Sequence, residues 1–181
     1  MTTKLELHTD VLVLGSGPSG FAAAYTAAKN GANVVLVEQN GDVGGISTSG
    51  LMSHWTGSCG SPLFYEILRR SAEKNEDKFK NKQTNIIDPE KLKTLYLEML
   101  CEVGCKVMLY TFAEDAICDG DKILGASVIN KSGKTDIYAK ITIDATGDGD
   151  VAVLAGALAN VGACQADIDE GSPVPVGEMQ G

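Results

Sequence analysis

The chain has 181 residues, of which 44% are apolar and 22% are charged, and this is the composition of an ordinary globular protein. Its formal net charge is −9, so we expect neither nucleic-acid binding nor a basic patch for a membrane surface. No apolar run approaches the roughly 18 residues of a transmembrane helix, and the first residues lack a signal-peptide core. The predicted location is therefore the cytoplasm.

The first predicted elements form a compact unit over residues 10–38. The continuous apolar run at residues 11–14 predicts a strand that is buried on both faces. An alanine-rich helix is predicted at residues 18–29, and a second apolar strand at residues 34–37 ends on the acidic residue Glu38. This order is typical of the β-α-β unit that binds dinucleotides.

The turn between the first strand and the helix carries the pattern G-x-G-x-x-G. Gly15 permits a tight turn, Gly17 lets a pyrophosphate approach the backbone, and Gly20 permits close packing of the helix. Pro18 suits the first helical position, and the start of the helix offers free N–H groups and a partial positive charge to an anion. Glu38, 18 residues after Gly20, can accept hydrogen bonds from a ribose and would repel a 2′-phosphate.

A loop rich in glycine and hydroxyl residues follows at residues 39–50. Gly44, Gly45, Ser47 and Thr48 can offer N–H and O–H groups to phosphates, which is the preferred interpretation. The alternative is a flexible connector.

His54 lies beside Trp55, the only tryptophan of the chain. Because an ordinary histidine titrates near neutral pH, His54 is a candidate proton donor or acceptor in a substrate pocket. A lone histidine beside an aromatic residue is more often structural or solvent-exposed, so both interpretations stay open.

Two amphipathic helices are predicted next. Residues 62–79 carry apolar side chains at helical spacing, and the charged run at residues 73–82 predicts a solvated end and loop. Asp88 is the predicted N-cap of the second helix, which ends before Gly104. Its predicted buried stripe is Leu92, Leu95, Tyr96, Met99 and Leu100.

Short strands follow. Residues 106–110 predict one strand, and residues 113–117, 123–130 and 137–143 predict three more, joined by turns into a small antiparallel meander. The meander would lie in the crossover that returns to the parallel sheet. A helix is predicted at residues 151–159.

The returning strand ends in small and acidic residues, DATGDGD, at the sheet edge where ligands of such folds bind. Ala145 and Gly147 leave room for a ligand. Asp148 and Asp150 lack the fuller oxygen pattern of a calcium loop, so that interpretation is rejected. Cys101 and Cys105 have a spacing that a metal could use, but no histidine lies nearby and packing is preferred. We predict no metal site, and an odd number of cysteines argues against a disulfide framework.

The motifs GSGPSG (residues 15–20), GGISTSG (44–50) and IDATGDGD (143–150), together with Glu38, resemble the FAD-dependent oxidoreductases of the glutathione-reductase-like superfamily. The resemblance is to the branch near fumarate-reductase flavoproteins and thiazole-synthase-like proteins, and it covers about residues 10–156. It implies an α/β Rossmann-like FAD/NAD(P)-binding fold, with a parallel sheet, helices and the antiparallel β-meander in the crossover. It also implies FAD rather than free NAD.

The resemblance further implies a role for each loop. The first glycine loop would cradle the pyrophosphate, Glu38 would hold the adenosine ribose, and the second glycine loop would lie along the pyrophosphate and flavin. The start of the meander would meet the adenine through its backbone, and the loop after the returning strand would close the pocket over the adenosine half. The implied cofactor-binding residues are Gly15, Ser16, Gly17, Pro18, Ser19, Gly20, Glu38, Gln39, Gly44, Gly45, Ser47, Thr48, Phe112, Ala113, Ala145, Thr146 and Gly147.

The length departs from the family, whose members are usually more than twice as long. We expect an FAD-binding domain at residues 1–160 with a helical insertion at 50–104, an irregular tail at 161–181, and no substrate domain. The predicted function is that of an FAD-dependent oxidoreductase, or part of one, passing hydride between an unknown small molecule and flavin. The alternatives are a non-catalytic nucleotide-binding fragment that needs a partner subunit or a second copy, and an NAD-using thiazole-synthase-like protein.

Overall fold

The structure is a computed structural model that describes residues 5–52, 54–55, 60–74 and 87–157. The expected tail at 161–181 and most of the charged run at 73–82 lie outside the described residues. In chain order the elements are β1 (Leu5–Leu14), α1 (Pro18–Lys29), β2 (Val34–Val37), a 3₁₀ turn (Gly45–Ser47), α2 (Pro62–Lys74), α3 (Pro89–Glu102), β3 (Lys106–Met108), β4 (Phe112–Asp119), β5 (Lys122–Asn130), β6 (Gly133–Asp144) and α4 (Asp150–Leu154).

One mixed sheet organises the molecule, with strand order β3-β2-β1-β6-β5-β4. Strands β3, β2, β1 and β6 are mutually parallel, whereas β6, β5 and β4 are joined antiparallel as a meander. The predicted α/β Rossmann-like fold with a meander in the crossover is therefore confirmed. Because β6 belongs to both parts, the meander delivers the chain directly to the edge of the parallel part, beside β1.

Helices α1 and α3 cover one face of the parallel strands. Phe21 from α1 stacks on Tyr96 from α3, with ring centroids 3.8 Å apart, and both side chains are buried. Phe21 also stacks on Tyr25 one turn along α1. The predicted apolar stripe of α3 is buried in full, so the periodicity of that helix correctly indicated its inner face.

A second apolar cluster lies on the other face of the parallel strands and includes side chains of the meander. Leu12, Leu14, Val35 and Val37 are buried there in one cluster with side chains of β5 and β6, among them Val128. Burial on both faces explains why β1 and β2 read as continuous apolar runs rather than alternating ones. The glycine motif lies at the carboxyl end of β1, beside the end of β2.

Helix boundaries follow the local signals. α1 spans the residues predicted for it. At the start of α3, the carboxylate of Asp88 accepts hydrogen bonds from the N–H groups of Glu90 (3.0 Å) and Lys91 (3.4 Å), as expected of an N-cap. Beyond Lys74, the predicted end of α2 lies outside the described residues. Within the described residues, no helix is long and apolar enough to cross a membrane.

Several predicted boundaries were wrong, and three of them have a clear physical reason. β1 begins at Leu5 rather than at residue 11, because the long β6 supplies partners from Thr135 onward. β3 ends at Met108 rather than at residue 110, since Tyr110 adopts a positive φ of 49° and leaves the strand conformation. α4 ends at Leu154 rather than at residue 159, and Gly156 follows with a φ of 88°.

Candidate nucleotide-binding site

Gly15 and Gly20 are required by packing inside the protein. Gly15 leaves β1 with a φ of 88°, and a Cβ placed on it would lie 2.5 Å from the carbonyl oxygen of Ala145. A Cβ on Gly20 would overlap the carbonyl oxygen of Gly15 and lie 3.1 Å from the Cβ of Ala145. The turn after β1 and the turn after β6 are therefore pressed together, which fixes the back wall of the site.

Gly17, unlike Gly15 and Gly20, leaves space for a side chain. A Cβ built on it meets no atom of the described residues within 4 Å, and its backbone (φ −57°, ψ −178°) suits any residue. It forms the N-cap of α1 without a side-chain cap, and no acidic residue lies in the first turn. Among the described residues no acceptor contacts the N–H groups of Ser19 and Gly20, whereas the N–H of Phe21 donates to Gly17. The open corner thus presents free helix-start amides, which is the arrangement that binds phosphate groups.

The second glycine loop is attached to the first. The N–H of Gly44 donates to the carbonyl oxygen of Ser16 at 2.8 Å, and a Cβ on Gly45 would lie 3.0 Å from the Cα of Gly17. The loop forms a 3₁₀ turn in its middle, where a loop was expected. The hydroxyl of the buried Thr48 donates to Val43 at 2.8 Å, so it closes its own loop in this structure.

Glu38 lies at the end of β2 with a carboxylate that is almost fully enclosed, since the residue is 4% exposed. Its Oε2 accepts hydrogen bonds from the N–H of Ser16 (2.8 Å) and from the Ser16 hydroxyl (2.5 Å). Its Oε1 accepts hydrogen bonds from the N–H of Asn40 (2.8 Å) and from the Asn40 side-chain amide (2.9 Å). The acid therefore joins the first glycine loop to the chain beyond β2.

The start of the meander lies beside Glu38 and Asn40. The N–H of Thr111 donates to the carbonyl oxygen of Glu38 (3.0 Å), and the N–H of Tyr110 donates to that of Asn40 (3.1 Å). Phe112, the first residue of β4, follows directly and is half exposed, and Ala113 is partly buried. These backbone bonds bring the predicted adenine-side residues to the predicted ribose residue.

Asp144 holds the loop after β6. One carboxylate oxygen accepts hydrogen bonds from the N–H (3.0 Å) and hydroxyl (2.7 Å) of Thr146, and the other from the N–H of Ala152 (2.7 Å). Burial raises the pKa of Asp144, but the hydrogen bonds from Thr146, Ala152 and Val151 together bring it below its ordinary value. Ala145 donates its N–H to Leu14 at 2.8 Å, so this loop is fixed to β1 as well.

Gly147 is the open position of this loop. As at Gly17, a Cβ on it would meet no atom within 4 Å among the residues that the structure describes. The loop thus has room for a ligand at the position that the sequence predicted.

His54 and Gln39 do not join this cluster. Both side chains are exposed, and no side-chain hydrogen bond connects either of them to the glycine corner within the described part of the chain. The catalytic role of His54 stays a prediction.

No group of three or more metal-ligating side chains occurs in the described residues. Burial raises the pKa of the Cys105 thiol to about 11, so it is a packed and unreactive thiol, whereas Cys101 is exposed. The absence of a metal stays a prediction.

Three residues at the site were not identified from the sequence. They are Asn40, which binds Glu38; Asp144, which organises the loop after β6; and Tyr110, whose hydroxyl lies against Gly41. Asn40 follows the acid by two residues, which is a typical side-chain-to-turn spacing and a signal that could have found it. Tyr110 carries no such signal because tyrosine is not expected at a positive φ.

A family model described as FAD dependent oxidoreductase matches residues 10–181 of the chain. The chain belongs to this family. Its relatives include a digeranylgeranylglycerophospholipid reductase of Picrophilus torridus, 27% identical over 79% of the chain and 40% of the relative. A thiamine thiazole synthase of Methanococcus maripaludis is 29% identical over 78% of the chain and 56% of the relative.

Solved structures give the same fold. A geranylgeranyl bacteriochlorophyll reductase-like protein from Thermoplasma acidophilum matches 84% of the chain and 43% of its own length, with a TM-score of 0.64 and 21% identity. Thermovibrio ammonificans THI4 matches 81% of the chain and 61% of its own length, with a TM-score of 0.60 and 26% identity. The chain spans about half the length of the relatives that it matches.

The family indicates FAD as the nucleotide, and the residues of the open corner fit it. FAD contains a pyrophosphate, which matches the open Gly17 and the free amides of the α1 start. It contains a ribose, which matches an acid at the end of β2. The predicted cofactor is therefore confirmed at the level of the family and consistent with the geometry.

Proposed function

We propose that this chain is the FAD-binding part of an oxidoreductase that passes hydride between a small-molecule substrate and the flavin. The observation that carries the proposal is the open corner at Gly17, where uncapped helix amides face space that no atom of the described residues fills. When bound, FAD supplies the hydride chemistry, and the protein supplies binding and orientation. The family membership supports the same function.

In this proposal each loop takes one part of the cofactor. The amides of Ser19 and Gly20 bind the pyrophosphate, and Gly45, packed on Gly17, leads toward the flavin half. Glu38 orients the adenosine ribose, while the backbone at Phe112 meets the adenine. Since Ser16 joins Glu38 to the second glycine loop, the ribose and phosphate parts of the site are one rigid unit.

The turn after β6 closes the site from the opposite side. Ala145 packs on the first glycine loop, and Thr146 is held by Asp144. These contacts keep water away from the back of the corner, where the helix-start amides lie. If this wall were loosened, water would screen the helix dipole and weaken its attraction for the pyrophosphate.

We also infer that the complete redox site needs further residues, from the same polypeptide or from a partner subunit or second copy. β5 pairs with β6 only as far as Tyr138, while β1 pairs along β6 to Asp144. In the described chain, residues 139–144 therefore have a strand on one side only, and Ile141 is 58% exposed. An open strand edge beside the site supports completion by another segment.

The finer assignment to the glutathione-reductase-like superfamily is part of the proposal. It rests on the pairing of GSGPSG with IDATGDGD and on the meander in the crossover. The cytoplasmic location, the small-molecule substrate, the absence of nucleic-acid and membrane partners, and the domain limits stay predictions.

Flavin analysis of the purified chain tests the proposal. We expect a yellow protein that retains FAD in a 1:1 ratio through gel filtration and is reduced by a chemical donor such as dithionite. A colourless protein that binds no added FAD in a titration would overturn the proposal. A colourless protein that binds added FAD but fails to turn over would support the partner-dependent fragment instead.

The second candidate is an NAD-using protein similar to the thiazole synthases, and the relative in Methanococcus maripaludis supports it. Nucleotide released by denaturing the purified chain separates the two. Release of FAD supports the first proposal, and release of NAD supports the second.

A further inference from the structure

The carboxylate of Glu38 has no free acceptor position. A carboxylate offers about four lone-pair sites, and Glu38 already accepts four hydrogen bonds, two on each oxygen. With only 4% of the residue exposed, a ligand cannot reach either oxygen unless a donor leaves. This inference rests on the proposed function, in which Glu38 orients a ribose.

The donors on Oε2 cannot leave. Ser16 is completely buried, and its main chain is fixed at both ends. Its N–H donates to Glu38, and its carbonyl oxygen accepts from the N–H of Gly44. The Ser16 hydroxyl therefore has no water to turn toward and holds Oε2 in place.

On Oε1 one of the two donors can leave. Asn40 is exposed, and its backbone is held by its own N–H on Oε1 and by the N–H of Tyr110 on its carbonyl oxygen. Only its side-chain amide is free to rotate into solvent, and this needs no movement of the backbone. Removing it opens one acceptor position on Oε1.

We propose that the side-chain amide of Asn40 is a placeholder for one ribose hydroxyl of the nucleotide. It satisfies Oε1 when the site is empty and is exchanged for the hydroxyl on binding. Ser16 is a positioning residue that stays in contact with Glu38 in both states. The two neighbours of one carboxylate therefore have opposite effects on affinity.

Asn40→Ala tests the exchange, with the full 181-residue chain titrated with FAD and unfolded thermally with and without FAD. Since wild-type protein must give up one hydrogen bond to bind, we expect the variant to bind FAD roughly three- to tenfold more tightly. The empty variant should melt below the empty wild type, and saturating FAD should remove that difference. Ser16→Ala should bind FAD more weakly.

Asn30→Ala is the matched control, since the exposed Asn30 caps the end of α1 on Thr26, away from the site. It should leave the FAD affinity unchanged. Asn40→Ser serves as the second variant if Asn40→Ala does not fold.

Nucleotides that lack one hydroxyl identify what replaces the amide. Asn40→Ala should also bind ADP more tightly than the wild type does. This gain in affinity should disappear with one of the two analogues, 2′-deoxy-ADP or 3′-deoxy-ADP, namely the one that lacks the hydroxyl bound by Glu38. Weaker or unchanged FAD binding by Asn40→Ala, or a gain that persists with both deoxynucleotides, would overturn the placeholder role. Failure of the wild type to bind FAD would instead overturn the proposed function.

Discussion

Replacing Gly17 with valine tests the phosphate corner without disturbing its walls. The backbone of Gly17 lies in a region open to any residue, and in the described part of the chain no atom lies within 4 Å of a Cβ built there. We therefore expect the free energy of unfolding to change by less than about 0.5 kcal/mol, or to rise slightly because the unfolded chain is less flexible. The side chain would fill the space that the pyrophosphate needs.

The loss of affinity follows from the contacts that the anion would lose. An anion at a helix start is worth roughly 0.3–2 kcal/mol. Hydrogen bonds to a charged group add about 1.5–3 kcal/mol. Losing both costs roughly 2–5 kcal/mol, so FAD should bind on the order of 30-fold to several thousand-fold more weakly.

Flavin fluorescence titration and isothermal calorimetry measure the affinity, and circular dichroism on heating measures the fold. Gly20→Ala is the contrasting variant, because its Cβ overlaps the backbone of Gly15 and the strain should lower stability by about 1–3 kcal/mol. If Gly17→Val binds FAD as tightly as the wild type, the corner does not receive the pyrophosphate. If Gly17→Val unfolds, the corner is not open.

Three further predictions concern the surroundings of the corner. Glu38→Ala should weaken FAD binding by about 1–3 kcal/mol in the same titration, and an unchanged affinity would contradict the ribose role. Asp144→Asn should be less stable than the wild type at pH 7 in urea unfolding. Because hydrogen bonds hold the pKa of Asp144 below its ordinary 3.8, its contribution to stability is complete above that pH and is lost as the pH falls through the lower folded value. A difference in stability that does not shrink as the pH falls below 3.8 would argue against this. Tyr96→Ala should lower the free energy of unfolding by about 3–5 kcal/mol, since the buried ring stacks on Phe21. Tyr96→Phe keeps the ring and should retain most of the wild-type stability. Equal losses in the two variants would show that the hydroxyl matters more than the ring.

Helix α1 and strand β2 could be predicted to the residue, and so could the end of β1, because their signals are local. Pro18 after a glycine indicates the start of a helix, and a short apolar run indicates a buried parallel strand. Both patterns lie within a few residues of each other. The same holds for α3, whose N-cap Asp88 and buried stripe depend only on helical spacing. The choice of FAD came from the combination of motifs, and the family match confirms it.

Only the tertiary structure decided how the loops are coupled. The hydrogen bonds from Ser16 to Glu38 and the close packing of Gly15 on Ala145 depend on residues that the fold brings together from different strands. The length of β1 was likewise set by its partner β6, more than a hundred residues further along the chain. Hydrogen bonds between distant segments leave no periodic trace in the sequence, because one donor and one acceptor satisfy each other wherever the backbone places them.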